Sequence, residues 1–595
     1  MYGYTGKILR INLSGKTINT EELDLKTAQK FIGGRGLGTK MLIDEIDPNV
    51  DPLGPDNKLI FVTGPLTGTN TPTGGRYMVV TKSPLSGTVA CSNSGGYWGA
   101  ELKFAGFDMI VFEGKADSPV YINIADDKVE ICDAGHLWGK VVSETTHELE
   151  DVHGEKVRVA CIGPAGENLS KIACIMNDLG RAAGRSGVGA VMGSKNLKAI
   201  VVKGNRKVDV ANPDKLKEAF SVCMKKIKEN GVTGQGLPTY GTAVLVNIIN
   251  ENGVYPTNNF QLSQFDGAEE TSGESLAEKY LTKRMACFRC PIACGRYCEV
   301  DGIKGEGPEY ETIWAFGADC GVSNLPDVIK ANYWCNEVGV DTISAGATIA
   351  AAMELYQRGY IKKEDLEGGP ELAWGNGEAI VEWTKRMGSP DGMGAKIAQG
   401  SYRLCDSYGV PELAMTVKKL ELPAYDPRGI QGHGLQYATS NRGGCHVRGY
   451  MISPEILGLP EKLDRLSLEG KPTWAKIFQD FTAAIDSAGL CLFTSFAMGA
   501  DDYAALVNAV CGTEITGADF IKSGERIWNM EKLFNIKAGV EPDTLPERLL
   551  KDPIPDGPSK GWVHKLDQLL PAYYEGRGWD KEGIPSQAKL VELGL

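Results

Sequence analysis

The chain has 595 residues, 42% hydrophobic and 23% charged, which excludes a mostly disordered chain and leads us to expect about two to four folding units. Its 63 basic and 76 acidic residues leave a formal charge of −13, an acidic balance that argues against a general nucleic-acid binder. No apolar run reaches the roughly 18 residues that span a bilayer, and the stretch Met1–Arg10 lacks the apolar core of a secretory signal. The 15 cysteines, an odd count, are too few for a disulfide scaffold. The expectation is reduced thiols in a cytoplasm, with any clustered ones serving metal or redox chemistry. The 74 glycines follow no three-residue period, so a collagen-like chain is excluded. We read them as tight turns and close backbone approaches to something bound.

Residues 1 to about 205 read as strand-rich. Short runs such as Lys58–Val62, Tyr77–Thr81, Val120–Ile124 and Ala199–Lys203 sit between Gly, Pro and Asn turns. The texture then becomes helical. Asn212 is placed to cap a helix that opens on Pro213 and carries Leu216, Phe220 and Cys223 at helical spacing. Further helices are predicted around 275–285, 325–338, 341–358, 378–387, 391–408, 473–487 and 515–534, with a surface loop over 364–377. The fold class expected is α+β, a β-rich first region followed by two mainly α-helical ones. The divisions expected are 1–208, 209–415 and 416–595.

Three glycine-rich strips in the first region suit a bound ligand. They are Thr73–Tyr77, Ser92–Gly99 and Asn177–Gly189, the last carrying Arg181 and Arg185. Glycine lets the backbone approach a ligand, and arginine recognises phosphate with two parallel hydrogen bonds. The run Gly33-Gly34-Arg35-Gly36-Leu37-Gly38 matches part of a dinucleotide fingerprint. It lacks the full spacing and the strand-then-helix setting, so no nucleotide fold is assigned.

The densest chemical pattern is Cys287-Phe-Arg-Cys290-Pro-Ile-Ala-Cys294-Gly-Arg-Tyr-Cys298. Thiolates spaced this closely converge on one small inorganic object. A structural zinc site more often uses two separated Cys pairs, so an iron–sulfur cluster is favoured over zinc and over incidental thiols. A cubane needs a fourth ligand. Cys298 is the local choice and Cys491 the remote one, and spacing does not decide between them.

Two segments echo each other. Asn336-Glu-Val-Gly339-Val340-Asp341 and Asp486-Ser-Ala-Gly489-Leu490-Cys491 each follow a predicted helix and place Gly where a left-handed cap is wanted. Each then presents a polar or metal-binding side chain, suited to a heterocycle rich in N–H groups such as a pterin. Ordinary helix caps are the plainer reading. For acid–base work the choices are Glu311, in Glu306-Gly-Pro-Glu309-Tyr310-Glu311, and His446, in Arg442-Gly-Gly-Cys445-His446-Val-Arg448. His433 is a further histidine of the same kind.

Together these strips resemble the tungsten-dependent aldehyde ferredoxin oxidoreductase family. The resemblance runs nearly end to end. Its most specific strips are Gly64-Pro-Leu-Thr-Gly68 with Pro72-Thr-Gly-Gly-Arg76, Ser92–Gly96, Met192–Lys198, the Cys287/Cys290/Cys294 spacing, Gly307–Glu311 and Asp486-x-x-Gly-Leu-Cys491. It implies a tungsten ion, or less often molybdenum, held by two pterins, with one 4Fe-4S cluster alongside. It implies that the β-rich region is the base for this bis-pterin, and that each helical region carries one helix-end motif. By this likeness Cys287, Cys290, Cys294 and Cys491 bind the cluster, and Arg76 lies between pterin and cluster. Asn93, Gly95, Arg181, Ala182, Gly184 and Arg185 match positions on the pterins or their phosphates. Asn336, Val340, Asp341, Arg442, Arg448, Asp486, Leu490 and Leu492 match further cofactor positions. A magnesium ion bridging the phosphates is implied, with Asn93 and the Ala182 carbonyl as its protein ligands.

The resemblance also implies the reaction, oxidation of an aldehyde to a carboxylic acid with water as oxygen source. Electrons would pass to a ferredoxin or a partner Fe–S subunit. Glu311 is then the general base and His446 the hydrogen-bond donor to the substrate oxygen. A related branch reducing an aromatic thioester, and an electron-transfer or scaffold subunit using only the Fe–S cluster, are the alternatives. Three departures stand out. Asn336 replaces the Asp that usually opens the helix-end motif, so it brings no charge. Arg448 replaces a Lys, with a planar fork in place of a point charge. Lys330 and Val381 stand where the family's homodimer uses Glu and His to hold an iron between subunits. An assembly, homodimer or hetero-complex, is therefore expected without interfacial mononuclear iron.

Overall fold

In the computed structural model, which describes residues 1–595, the first 203 residues form two six-stranded sheets. The first contains β1 (Lys7–Asn12), β2 (Thr17–Glu22), β3 (Leu59–Thr63), β4 (Tyr77–Lys82), β5 (Val89–Ser94) and β6 (Met109–Glu113), in the order β2-β1-β6-β3-β4-β5. The second contains β7 (Val120–Ala125), β8 (Lys128–Asp133), β9 (Arg158–Cys161), β10 (Ile175–Asn177), β11 (Arg181–Ala183) and β12 (Leu197–Lys203), in the order β11-β10-β9-β12-β7-β8. Only β1 with β6 and β7 with β12 run parallel. β3 and β4 are buried along their whole length. Phe61, Tyr77 and Val79 face the second sheet through Ile122, Ile200 and Val202. Ile60, Val62, Met78 and Val80 pack on the opposite side against Leu37 and Leu42 of the helix Gly34–Glu45. Side chains alternate across a strand, so two apolar faces make an uninterrupted apolar run. The helix Gly34–Glu45 follows another helix, Leu25–Phe31, not a strand, so the glycine run at 33–38 is not a nucleotide loop.

Beyond residue 212 helices dominate. Asn212 caps Pro213–Glu229, accepting the Lys215 N–H at 3.0 Å. Leu325–Val338, Thr342–Gln357, Lys471–Ala488 and Gly517–Lys537 form where the periodicity predicts helices. Two expectations fail. The helix predicted over 275–285 ends at Lys279, and Leu281–Met285 is a strand paired antiparallel with Gly295–Cys298. The helix predicted over 391–408 breaks into Gly392–Ile397 and Ser401–Ser407. Gly400 between them has φ +89°, and a Cβ there would meet Glu421 Oε1 at 3.0 Å. One apolar core runs through both helical stretches, including Trp314, Leu355, Trp383, Tyr437 and Trp528. No helix is long and apolar enough to cross a membrane.

The two echoing helix ends dock on the β-rich region in the same way. Leu66 N–H donates to Ala488 O at 3.1 Å, and Cys174 N–H donates to Gly339 O at 2.9 Å. Gly339 and Gly489 take the left-handed conformation, with φ of +77° and +90°. Backbone contact this close requires that no side chain intervene. At Gly489 a Cβ would lie 3.1 Å from Gly64 Cα.

Candidate active site

The loop between the strands Leu281–Met285 and Gly295–Val300 carries Cys287, Cys290 and Cys294. Arg289 and Ala293 adopt positive φ there, which curls the loop tightly. Cys491 follows Gly489 by two residues and lines the same small cavity as these three thiols. Arg76 closes it from the β-rich side, donating to Cys491 Sγ at 3.0 Å and to Asn93 Oδ1 at 3.2 Å. Gly95 lets the backbone pass close to both groups: a Cβ there would lie 2.9 Å from Cys287 Sγ and 3.2 Å from Arg76 Cζ, so those side chains would have to shift. Burial pushes the Cys290 thiol up to about 11, with Cys491 adding to the shift. Cys294 is pushed well above its usual value by burial and by Glu309. Such thiols stay protonated until a cationic centre stabilises their thiolates. Cys298 turns elsewhere: a Cβ on Gly307 would meet its Sγ at 2.5 Å. No three His, Cys, Asp or Glu side chains stand close enough to hold a single metal ion.

A cavity of about 320 Å³ adjoins the thiols. Arg76, Gly95, Arg181, Ala182, Cys287 and Cys294 form part of its wall. Glu311, His446, Asn336 and Leu492 line the same space. Arg181 is held by Glu306 at 2.6 Å. The remaining expected residues stand outside this cavity wall, several of them in two buried ion-pair groups. In one, Asp486 accepts from Arg448 at 2.8 Å, from Arg35 at 3.4 Å and from Asn93 at 3.2 Å. In the other, Asp341 caps the helix Thr342–Gln357 through Ile343 and Ser344 and accepts from Arg185 Nε at 3.0 Å. A Cβ on Gly184 would make only ordinary contacts, with Ala182 Cβ and Asp341 Oδ1 each at 3.9 Å. Arg442 donates to Cys91 O at 2.9 Å and to Cys445 Sγ at 2.7 Å. The Nε atoms of Arg442 and Arg448 are buried without a partner. The side chains of Val340 and Leu490 belong to apolar cores, so only their backbones are free to meet a ligand.

Glu311 stands in the first turn of the helix Tyr310–Phe316. Its Oε2 accepts the Ala424 N–H at 3.0 Å, while Oε1 faces His446 Nε2 at 3.5 Å, too far for a good hydrogen bond. Glu311 Oε1 and His446 Nδ1 have no partner. Burial pushes the Glu311 carboxyl up to about 8, opposed by the Ala424 N–H. Burial also drives His446 well below its usual value, helped by the cations of Arg185 and Arg442. The imidazole is therefore neutral at any ordinary pH. His433 is fully buried with neither ring nitrogen partnered, and burial lowers it to about 3. It lies outside the cavity wall, its ring 5.1 Å from that of Tyr425.

Sequence reasoning missed three tyrosines and an arginine. Tyr310, Tyr425 and Tyr450 line the cavity, with the last two hydroxyls 2.9 Å apart. Tyr310 stands inside the first acid–base segment and Tyr450 just after the second, but a tyrosine in or beside a motif carries no spacing pattern. Arg35, which the sequence shows only as part of a glycine run, is buried and bonded twice to Glu531 at 2.7 Å. Of the departures, Lys330 pairs with Asp301 at 2.6 Å and Val381 packs half-buried against the helical core.

Known proteins bear on this site. Residues 8–204 match the family model of the aldehyde ferredoxin oxidoreductase N-terminal domain, and residues 218–595 match that of domains 2 and 3. A tungsten-containing aldehyde ferredoxin oxidoreductase of Pyrococcus furiosus is 56% identical over 100% of this chain and 99% of its own. The protein of the same name from Thermococcus kodakarensis is 54% identical with the same coverage. Among solved structures, the active site complex BamBC of benzoyl coenzyme A reductase with 1,5-dienoyl-CoA is 26% identical. It superposes with a TM-score of 0.86 and covers 100% of this chain and 97% of that one. A chain matched at both ends by the family's domains, and so closely by its named members, belongs to the aldehyde ferredoxin oxidoreductase family.

Proposed function

We propose that this chain oxidises aldehydes to carboxylic acids, with water as the oxygen source, using tungsten held by two pterins. Cys287, Cys290, Cys294 and Cys491 would hold a 4Fe-4S cluster, which would pass the two electrons one at a time to a ferredoxin or a partner Fe–S subunit. One aldehyde and one water yield one carboxylate, three protons and two electrons. The observation that carries this reading is a single cavity wall shared by Glu311, His446, Arg76 and the thiols of Cys287 and Cys294.

The donor set fits these groups. Buried polar atoms are normally paired, so the free Nε atoms of Arg442 and Arg448 favour an acceptor-rich ligand between them. Arg181 and Arg185 suit its phosphates, and Asn336, Asp341 and Asp486 suit the N–H edges of pterin rings. Gly95, Gly184, Val340, Leu490 and Leu492 would contribute close backbone contact. Cys287, Cys290, Cys294 and Cys491 would hold the cluster, with Arg76 between it and the pterins. Asn93 and the Ala182 carbonyl are hard oxygen donors that would suit a magnesium ion beside the phosphates. When bound, the tungsten–pterin group supplies Lewis acidity and a two-electron sink.

The protein supplies proton handling. Glu311 takes the proton of water, or of the hydrated aldehyde, at its free Oε1, while Ala424 fixes Oε2. A base whose pKa lies near the working pH transfers protons efficiently. His446 stays neutral and donates from Nε2 to the substrate oxygen. In an assembly of subunits, Lys330 and Val381 offer no donor for a bridging iron at neutral pH. Reduction of an aromatic thioester is the other reading, drawn from the benzoyl coenzyme A reductase likeness. The Glu311–His446 pair and the 56% identity favour the aldehyde.

The test is dye-linked oxidation of acetaldehyde and benzaldehyde by anaerobically purified protein. Wild type turns both over, and Glu311→Gln loses about 10²–10⁴-fold at unchanged metal content. Wild-type rates in Glu311→Gln would remove Glu311 as the base.

A further inference from the structure

A second cavity of about 190 Å³ opens off the first, sharing Thr242, Leu245, Tyr450, Phe493 and Phe496 with it. The rest of its lining is Val232, Leu237, Val244, Ile248 and Leu457, with the backbone of Gly231 and Gly236. The only polar side chains in it are the hydroxyls of Thr242 and Tyr450. A cavity with so few polar partners holds water poorly and favours an apolar occupant.

Its outer wall is unusual. Val232–Gly236 forms a wide π-type turn that leads straight into the short helix Leu237–Tyr240. Such turns are rare and gather at functional sites. Asn230 anchors this one: its Oδ1 accepts the Val232 N–H at 2.9 Å, and its Nδ2 donates to Phe496 O at 2.9 Å. The wall is thereby tied to Phe496, which lines both cavities. Gly231, which lines the annexe, is exposed, so the annexe lies close beneath the surface at that end.

We propose that this annexe binds the apolar tail of the substrate, making medium-chain aliphatic aldehydes better substrates than acetaldehyde. The inference rests on the aldehyde reading and extends it to substrate class. The carbonyl end stays with Glu311 and His446, while the tail passes Phe493 and Phe496 toward Val232 and Ile248. Each methylene buried raises kcat/KM about three- to fourfold until the annexe is filled.

Gly236 offers a clean way to block it. Its dihedrals are helical, φ −59° and ψ −57°. A Cβ there would make only ordinary contacts, with Gly231 O at 3.6 Å and Val244 Cγ2 at 3.7 Å. Gly236→Phe therefore fills the annexe without backbone strain. The experiment measures kcat/KM of the anaerobic holoenzyme for the series from acetaldehyde to octanal. The wild-type series rises with chain length. In Gly236→Phe the hexanal-to-acetaldehyde ratio falls about tenfold or more, while Gly236→Ala keeps it within about twofold. Ile248→Ala enlarges the annexe and moves the optimum to a longer chain, an arm that does not need the Phe variant to fold. A flat wild-type series, or equal losses on both aldehydes in Gly236→Phe, would overturn the annexe and leave the aldehyde reading standing. No turnover of any aldehyde by wild type would overturn both.

Discussion

At Glu311, burial and one backbone hydrogen bond set the chemistry of a side chain. Burial raises the carboxyl to about 8, and the Ala424 N–H holds one oxygen while leaving the other free. Only the ionised form accepts a proton, so kcat/KM rises as pH climbs through about 8 and falls away below it. A pH series on free enzyme with saturating dye reads this limb, and Glu311→Gln abolishes it. A profile flat between about pH 6 and 9 would contradict the assignment. The residue types were legible in the sequence, because Glu and His are the usual proton carriers. Their meeting was not, since Glu311 and His446 lie on separate helical segments that only the tertiary fold brings to 3.5 Å. Nor did spacing separate Cys298 from Cys491. In the fold Cys491 comes to the other three thiols, while Cys298 packs against Gly307.

The working elements at this site are helix ends. Leu325–Val338 and Lys471–Ala488 stop at left-handed glycines, and each end binds the β-rich region through its backbone. Gly489→Ala forces a side chain into that region at φ +90°, against Gly64 and Thr67. The strain costs about 1–3 kcal/mol, and the shift carries Cys491 with it. Thermal unfolding and iron analysis should show a lower Tm and lost iron; wild-type values for both would show that the cap tolerates a side chain. These helices were legible because local periodicity and end residues decide them. The segment 281–285 was not, because its partner Gly295–Cys298 lies across the Cys loop and nonlocal pairing outweighed helical propensity. The break at Gly400 was missed because a left-handed glycine inside a helical pattern reads as tolerated until its surroundings are known.

At the scale of the whole molecule, buried ion pairs staple the helical part together. Asp543 accepts from Lys418 at 2.9 Å, from Lys532 at 2.8 Å and from the Tyr574 hydroxyl at 3.0 Å, joining three separate segments. Burial alone would raise its pKa, but the two ammonium groups hold it well below the usual carboxylate range. Its contribution is therefore present at neutral pH and is lost as pH falls through that depressed value. Asp543→Asn leaves two buried cations underpaired and lowers stability by about 3–5 kcal/mol, read as a shift of the urea midpoint. An unchanged midpoint would show that solvent reaches this triad. The α+β class followed from the change of texture near residue 205. The sheet order did not, because β1 beside β6 and β7 beside β12 are crossovers that strand patterns leave open. The central claim is that thiols from the Cys287–Cys294 loop and from Cys491 gather one iron cluster beside a tungsten–pterin site. Iron and tungsten analysis of anaerobically purified wild type and Cys491→Ser tests it most directly. The account predicts iron and tungsten in a ratio of about 4:1 in wild type, with iron lost and the fold retained in Cys491→Ser. Full iron in that variant, or wild type that takes up iron but neither tungsten nor molybdenum, would contradict it.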